Sequence, residues 1–271
     1  MLKLELKRAF KRKTFIFTIV IGIIFAIVEN VVSNYYYIIQ PYTNYPHFFE
    51  RYIKTAMDSC YNSFLFFNFS PLSSIFFTIM PIVVAIAYSD SYLEDLNSGF
   101  LKNILARCPK QKYLKSKFLA NFIVSGITVS IPLLISLLML ITTQASINPD
   151  KISTLTLGSG NLNLDMYLNH PILYIFLWIG IYFVFAGAIS SIALGVSIVN
   201  RNKFIVLIAP FIILQAIDIL FSFIGINDYN VMRFLYLCSR VNPLAMFITF
   251  VVMLMATFIS FYFGGKSNEA F

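Results

Sequence analysis

The side chains best suited to chemistry in this sequence are the charged residues between Tyr88 and Phe118. The segment 88–118 begins with carboxylates and ends with cations, and its charged residues are Asp90, Glu94, Asp95, Lys102, Arg107, Lys110, Lys112, Lys115 and Lys117. Acids near the start of a helix and bases near its end interact favourably with the helix dipole. A segment of this kind suits docking to a partner rather than bond-making chemistry.

The residue patterns that carry catalysis do not occur in the sequence. The two histidines, His47 and His170, belong to different loops, and there is no HExxH or nucleophile-elbow motif. The tripeptide 265–267, Gly-Lys-Ser, resembles part of a phosphate-binding loop, but the motif needs a second glycine where this chain has Ser260. The chain is therefore predicted not to be an enzyme by itself and to hold no nucleotide, other cofactor or metal.

The elements that must position the charged segment are membrane-spanning helices. Hydrophobic residues make up 59% of the chain and charged residues 12%, against about 25% charged in soluble domains. A hydrocarbon core of about 30 Å requires about 20 apolar residues per helix. Six such runs occur, at about 14–33, 72–90, 118–143, 171–199, 203–224 and 243–263. The sequence predicts an all-α polytopic membrane protein in which residues 1–271 form a single transmembrane domain.

The distribution of the net charge of +8 predicts how the chain is oriented. Fifteen of the 20 Lys and Arg residues lie on one side of the six predicted spans, in 1–13, 88–118 and 201–203 and at Lys266. Cytoplasmic loops are enriched in Lys and Arg. Both termini are therefore predicted to be cytoplasmic, and the basic excess needs no nucleic-acid partner.

Residues 1–13 predict a short amphipathic helix. Its apolar side chains, Leu2, Leu6, Ala9 and Phe10, share one face, and basic residues cover the rest. Such a helix can lie in the headgroup layer of the membrane. The alternative is a solvated positive flank that only sets the orientation.

The cysteines have no metal-ligand spacing. Cys108 is predicted to be cytoplasmic, whereas Cys60 and Cys238 are predicted on the opposite side. A disulfide between Cys60 and Cys238 could form in an oxidising compartment. The sequence leaves that pairing open.

Within the segment 88–118, apolar residues recur at a helical spacing. They are Leu93, Leu96, Phe100, Ile104 and Leu105, which would share one face of a single helix. Pro109 is predicted to end that helix, because proline cannot continue it. The alternative is an ordinary loop helix that rests on lipid by its apolar face.

The whole-chain topology resembles the permeases of type-2 ABC exporters (the ABC-2 family). It has an N-terminal helix, six spans, and an acid–glycine–helix–basic segment between the second and third spans. The specific part of the resemblance covers about 28 residues and consists of Tyr92-Leu93-Glu94-Asp95, Ser98-Gly99, Lys102-Asn103-Ile104-Leu105, Arg107, Lys112-Tyr113-Leu114 and Lys117.

The resemblance implies a coupling-helix loop at about 90–117 that docks on an ATP-binding subunit. The contact residues implied are Glu94, Asp95, Leu96, Gly99, Phe100, Ile104 and Arg107. The resemblance also implies that a separate ATPase binds ATP and Mg²⁺. A second permease copy or a paralogue would complete a dimer in the lipid of a bacterial cell membrane. Small members of the family export peptides such as toxins, bacteriocins and antimicrobials, which implies an amphipathic or hydrophobic substrate.

Two carboxylates within predicted spans are candidates for the substrate path. Glu29 and Asp218 each follow the start of their span by about 15 residues, or about 22 Å along a helix. An acid at mid-membrane costs about 2.5–3.5 kcal/mol on insertion scales, which disfavours a lipid-facing position. The alternative is a structural role, with Glu29 reaching the headgroup layer and Asp218 bonded to Gln215, Ser222, Arg233 or Arg240.

The fourth span carries small residues at helical spacing, Gly187, Ser191 and Gly195. Small residues let helices approach closely, and here they could serve packing within the chain or between subunits.

Two functions other than ATP-driven export stay open. An ion-coupled secondary transporter would be expected to show an internal repeat and more ionisable residues at mid-membrane, and neither is evident. A non-transporting membrane scaffold or immunity protein is the third possibility.

Overall fold

The computed structural model describes residues 1–35, 59–64, 71–149, 163–235 and 242–267, and the regular structure in these ranges is helical. The helices are α1 (Leu2–Phe10), α2 (Lys13–Asn34), α3 (Pro71–Tyr88), α4 (Ser91–Asn97), α5 (Phe100–Leu105), α6 (Lys110–Thr143), α7 (Leu164–Asn169), α8 (Pro171–Val199), α9 (Lys203–Ile224), α10 (Val231–Leu235) and α11 (Pro243–Ser267). A turn of 3-10 helix, Asn227–Tyr229, lies between α9 and α10.

Within the described ranges, six helical segments are long and apolar enough to cross a bilayer, as a multi-pass membrane protein requires. They are α2, the stretch Pro71–Asn97, α6, α8, α9 and the Pro243–Gly265 part of α11. The stretch Pro71–Asn97 contains α3 and α4, and since its charged residues all follow α3, α3 is its apolar, span-length part. The prediction of an all-α chain with six such helices is confirmed. The third segment is longer than predicted, because α6 begins at Lys110 and has 34 residues. That length is about 51 Å, against about 30 Å of hydrocarbon.

The helix α8 lies at the centre of the bundle and packs against α3, α6, α9 and α11. Its fully buried aromatic side chains are Tyr174, Trp178 and Tyr182. Over their most apolar windows α9 and α11 are only 22% and 17% buried, against 56% for α8. The core is therefore built around α8, and α9 and α11 present most of their apolar surface outward.

The helices α6 and α8 approach closely through two reciprocal contacts between glycine and phenylalanine. A Cβ atom on Gly126 would lie 2.6 Å from the ring of Phe183, and one on Gly187 would lie 2.6 Å from the ring of Phe122. Only glycine leaves room for these rings. At Gly187 the small-residue pattern therefore serves packing within the chain.

The helix α1 forms where it was predicted, and part of its apolar face packs on the bundle. Leu2, Leu6 and Ala9 pack against buried side chains of α3 and α6. Leu4 is 66% exposed, and Phe10 is also exposed. The bundle itself supplies apolar surface that covers Ala9 and part of Leu2 and Leu6. The position of the helix in the headgroup layer stays a prediction.

The ionic contacts of α1 lie at one end of the bundle, called here the basic end. It comprises residues 1–13, 88–117 and 200–204. The opposite end, called here the far end, includes the last turn of α2 and the loop 59–64, which contacts the end of α6 through a hydrogen bond from the Cys60 N–H to the Ala145 carbonyl at 3.1 Å.

Candidate functional site

The segment 88–118 forms two short helices where the sequence predicts one. The helix α4 ends at Asn97, α5 begins at Phe100, and Gly99 between them has a φ of +69°. A residue in the left-handed region ends a helix, and glycine adopts that conformation without strain. The prediction of one helix that continues to Pro109 is therefore wrong, and Gly99 is the physical reason.

The break at Gly99 divides the predicted apolar face. Leu93 is 2% exposed, and Leu96, Ile104 and Leu105 pack in part against a buried cluster at the basic end. Phe100 is 46% exposed. Most of the predicted apolar face therefore attaches the segment to the bundle. Phe100 is the residue of this face that lies exposed at the surface.

Asp95 points into the protein. Its Oδ2 accepts hydrogen bonds from Lys117 Nζ at 2.6 Å and from the Tyr113 hydroxyl at 2.7 Å, and its Oδ1 accepts one from Arg8. The side chain of Asp95 is fully buried. Its carboxylate therefore fixes α4 against α1 and α6, whereas direct contact with a partner subunit requires an exposed residue of the segment.

Lys117 is a fully buried cation near the start of α6. Besides Asp95, its Nζ contacts the Oε2 of Glu5 at 3.0 Å, and the Tyr88 hydroxyl donates to the same oxygen at 2.5 Å. The ammonium also lies 5.3 Å from the centroid of the Tyr88 ring, within the range of a cation–π contact. The Lys117 ammonium and the side chains around it therefore connect α1, α3, α4 and α6.

A second set of ion pairs lies beside the first. Arg12 donates to the Oδ1 of Asp90 at 2.6 Å and pairs with Glu94, and Lys203 contacts the Oδ2 of Asp90 at 2.6 Å. Burial alone would lower the pKa of the Arg12 guanidinium, but Asp90 and Glu94 raise this pKa above its ordinary value. These contacts attach the beginnings of α2 and α9 to the turn before α4.

The pairing leaves the basic end with a positive surface. Of the acids at this end, Glu5, Asp90 and Asp95 are buried, and the side chain of Glu94 is 42% exposed. The exposed cations are Lys3, Lys7, Lys11, Lys13, Lys102, Arg107, Lys112, Lys115, Arg201 and Lys203.

A cleft of about 950 Å³ separates α1 from α5. Leu4 and Arg8 line it on the α1 side, and Phe100, Ile104 and Arg107 line it on the other. The Arg8 guanidinium lies 5.4 Å from the centroid of the Phe100 ring. The cleft therefore brings together three of the predicted contact residues, and its apolar walls and cationic edge could receive an amphipathic segment of a partner.

Glu29 lies at the far end, and its side chain is 2% exposed. It neighbours other buried polar groups of α2, and Asn34 there donates to Asn30 at 3.0 Å and accepts from Gln144 at 2.9 Å. Glu29 is thus enclosed by protein and does not face lipid, while the alternative in which it lies at the level of the headgroup layer stays a prediction. Its place in a substrate path stays a prediction.

Asp218 accepts a hydrogen bond from Asn230, a residue absent from the predicted partners. The other end of the Asn230 amide, Oδ1, accepts from the Met232 N–H at 2.9 Å. Asp218 therefore attaches α9 to the turn before α10, which is a structural contact. Among the predicted partners, Arg240 lies outside the described residues, as does Cys238 of the predicted disulfide. The substrate-path role of Asp218 stays a prediction.

An apolar groove of about 640 Å³ lies where α9 and α11 both pack on α8. Its lining includes Val196 of α8, Ile217 of α9 and Met253 of α11. Polar side chains are few along it, so it suits an apolar occupant.

The ionic contacts of Lys117 were not predicted from the sequence, nor were Glu5, Arg8, Arg12 and Lys203 identified as site residues. One signal was present: Glu5 is the single acid in residues 1–13, and it lies three residues from Leu2 and four from Ala9, on the apolar face. Lys117 gives no such signal, because its sequence context resembles that of the exposed lysines before it.

In the ranges that the structure covers, no group of three or more His, Cys, Asp and Glu side chains is arranged to hold a metal ion. Comparisons with protein-family models, characterised proteins and solved structures found no match.

Proposed function

We propose that this chain is the permease subunit of an ATP-driven exporter of the ABC-2 type, a multi-pass protein of a bacterial cell membrane. The observation that carries the proposal is the α4–α5 segment between the second and third spans. Ion pairs fix this segment to the bundle, and Phe100, Ile104 and Arg107 line a cleft on its surface. A rigid, exposed segment at this position suits a surface on which another protein can push.

The length of α6 supports a protein partner in water over a helix that rests on lipid. Eight residues of α6, Lys110 to Lys117, precede the apolar run that begins at Phe118, and they measure about 12 Å. The headgroup layer of one leaflet is about 5–8 Å thick. On a helix along the membrane normal, the turn at Pro109 would extend past the headgroups.

The orientation in this proposal places the basic end in the cytoplasm. Cytoplasmic segments of membrane proteins are enriched in Lys and Arg, and the exposed charge of this end is almost entirely positive. ATP is cytoplasmic, so an ATPase partner would meet this end.

The proposal assigns ATP and Mg²⁺ to a separate ATPase subunit. The chain contains no complete phosphate-binding loop, so in this proposal the partner hydrolyses ATP and this chain is not an enzyme by itself. The docking surface would consist of Phe100, Ile104, Arg107 and the exposed part of Glu94, with Gly99 setting the angle between α4 and α5.

The substrate in this proposal is amphipathic or hydrophobic, in the manner of a peptide toxin, bacteriocin or antimicrobial. The apolar groove between α9 and α11 supports an apolar substrate, as does the outward apolar surface of these helices. A second copy of the chain or a paralogue would complete the path within the lipid.

The proposal is tested by looking for an ATP-binding protein encoded in the adjacent reading frame and by co-purifying the chain with it. Phe100→Asp and Ile104→Asp place a charge in the cleft, so we expect each to abolish the complex. Asn97→Asp is the matched control, since it adds the same charge at an exposed position of the same segment outside the cleft. The control should retain the complex.

Two results would contradict the proposal. If the chain binds no ATP-binding protein and its transport follows a proton gradient, it is a secondary transporter. If it binds none and moves no substrate, the scaffold or immunity function is favoured.

A further inference from the structure

Lys117 is shared by acids from two different elements. Its ammonium lies 3.0 Å from the Glu5 carboxylate of α1 and 2.6 Å from the Asp95 carboxylate of α4, while Lys117 itself belongs to α6. All three side chains are at least nine-tenths buried. Among the cations that the structure describes, it is the one that contacts acids of both α1 and α4.

The buried ionic contacts are kept only while these elements stay together. Glu5 and Asp95 carry two negative charges, and Lys117 and Arg8 carry two positive ones. A buried ion that loses its partner is strongly unfavourable. Moving α4 away from α1 and α6 would leave Asp95 without both of its cations, and moving α1 away from α6 would leave Glu5 without the Lys117 ammonium. Moving α1, α4 and the beginning of α6 as one unit breaks neither contact.

The neighbouring ion pairs do not replace Lys117. Arg8 also connects α1 to Asp95, but its side chain is 36% exposed and its ionic contacts do not include α6. Arg12 and Lys203 pair with Asp90 at the edge of the site. Lys117 therefore makes the buried ionic link from the third span to both α1 and α4.

We propose that Lys117 is a positioning residue that makes α1, α4 and the beginning of α6 one rigid body, so that a displacement of the α4–α5 segment reaches the first and third spans together. The helix α1 leads into α2 through Lys11 and Arg12 only. Because this connection is so short, a displacement of α1 also displaces the beginning of the first span. The coupling role rests on the proposed function, whereas the rigid body does not.

The rigid body is tested with a variant that removes the link and keeps the charge balance. Lys117→Met with Glu5→Gln leaves the Arg8–Asp95 pair neutral. In a cysteine-free background, spin labels at the exposed positions Lys7 of α1 and Gln111 of α6 report the distance between the helices by pulsed electron paramagnetic resonance. We expect the distance distribution to widen at least about twofold. Lys112→Met, which removes an exposed lysine of the same helix, is the matched control and should leave the width unchanged.

The coupling role is tested by a ratio that a purely structural residue would not change. With the ATP-binding subunit bound, we expect the double variant to lower substrate transported per ATP hydrolysed by about tenfold. ATP hydrolysis itself should stay within about twofold, since the ATPase site belongs to the other subunit.

An unchanged distance distribution in the double variant overturns the rigid body. A widened distribution with an unchanged transport-to-hydrolysis ratio overturns the coupling role. If the double variant does not fold, Glu5→Gln alone weakens the α1 side of the link, and a width equal to that of the control overturns the rigid body. If the wild-type chain has no ATP-binding partner, the proposed function fails, and the distance measurement still decides whether Lys117 joins the helices.

Discussion

Glu5 shows how a charged side chain on the apolar face of a helix can indicate a buried ion pair, here with Lys117. A carboxylate on the apolar face of α1 would be costly against lipid or a hydrophobic core. It is tolerated because the Lys117 ammonium and the Tyr88 hydroxyl both contact its Oε2. Deleting one member of a buried ion pair costs more than an exposed pair contributes, because the remaining charge stays in the interior.

Lys117→Met is therefore expected to lower the free energy of unfolding by about 3–5 kcal/mol. The substitution leaves Glu5 without its cation and leaves Asp95 with Arg8 alone. Lys112→Met on the same helix should change the stability by less than about 0.5 kcal/mol, because that lysine is exposed. Thermal unfolding in detergent measures both effects. Equal unfolding temperatures for the two variants would contradict the burial of Lys117.

Asp218 illustrates the opposite case, an acid whose contact is local. It bonds to Asn230, which lies on the short stretch between α9 and α10. The partners considered from the sequence were chosen by charge or by helical spacing, and Asn230 satisfies neither criterion. An amide a few residues beyond the end of the helix can still reach the carboxylate, because Gly225 ends α9 and turns the chain back with a φ of +83°.

Among the helices, the division into α4 and α5 depends on the backbone of Gly99. A Cβ atom at this position would meet no atom within 4 Å, so space does not require glycine. The positive φ does, because a side chain in the left-handed region costs about 1–2 kcal/mol, with asparagine among the residues that tolerate it best.

Gly99→Val is expected to destabilise the α4–α5 turn by at least about 1–2 kcal/mol, and Gly99→Asn by less. Binding of the proposed ATP-binding subunit and limited proteolysis of the exposed turn measure the consequence. Valine should weaken binding and speed cleavage, whereas asparagine should stay close to the wild type. If the two variants behave alike, the left-handed backbone at residue 99 is not what shapes the segment.

The contact between α6 and α8 depends on glycine for a different reason, which is space. We expect Gly187→Leu to destabilise the protein by about 1–3 kcal/mol or more, because the added side chain would overlap the Phe122 ring. Gly180→Leu is the matched control on the same helix, since a Cβ atom there meets nothing within 4 Å. Thermal unfolding should separate the two, and a stable Gly187→Leu variant would contradict the close approach of α6 and α8.

The molecule as a whole is strongly asymmetric in charge between its two ends. At the basic end the acids are turned inward and the cations outward, so the surface charge is more positive than the sequence of the end suggests. In a membrane this asymmetry favours one orientation, because Lys and Arg are retained on the cytoplasmic side.

The orientation can be measured with the chain's own cysteines in a Cys238→Ser background. A membrane-impermeant maleimide should label Cys108 in inverted vesicles and not in intact cells. Cys60 at the far end is buried, and burial raises its pKa, so less of the thiol is ionised at neutral pH. It should react slowly even after the membrane is permeabilised. Labelling of Cys108 in intact cells would reverse the proposed topology.

Much of the helical framework could be predicted from the sequence, and less of the site. The runs at about 171–199 and 203–224 match α8 and α9 because hydropathy over 20 residues is a local property. The continuous helix predicted past Gly99 was wrong because apolar spacing continues across the glycine and does not report its φ. Phe100, Ile104 and Arg107 do meet in one cleft, whereas Asp95, predicted beside them, is turned inward.

The sequence by itself therefore determined that this is a chain of apolar helices with its positive charge concentrated toward one end, because bilayer thickness and the energetics of charge in hydrocarbon act on each segment separately. The fold alone determined which charges are buried and paired. Glu5 and Lys117 are 112 residues apart, and their contact exists because α1 packs on α6. Such contacts depend on which elements meet in space, and no periodicity within a segment contains that information.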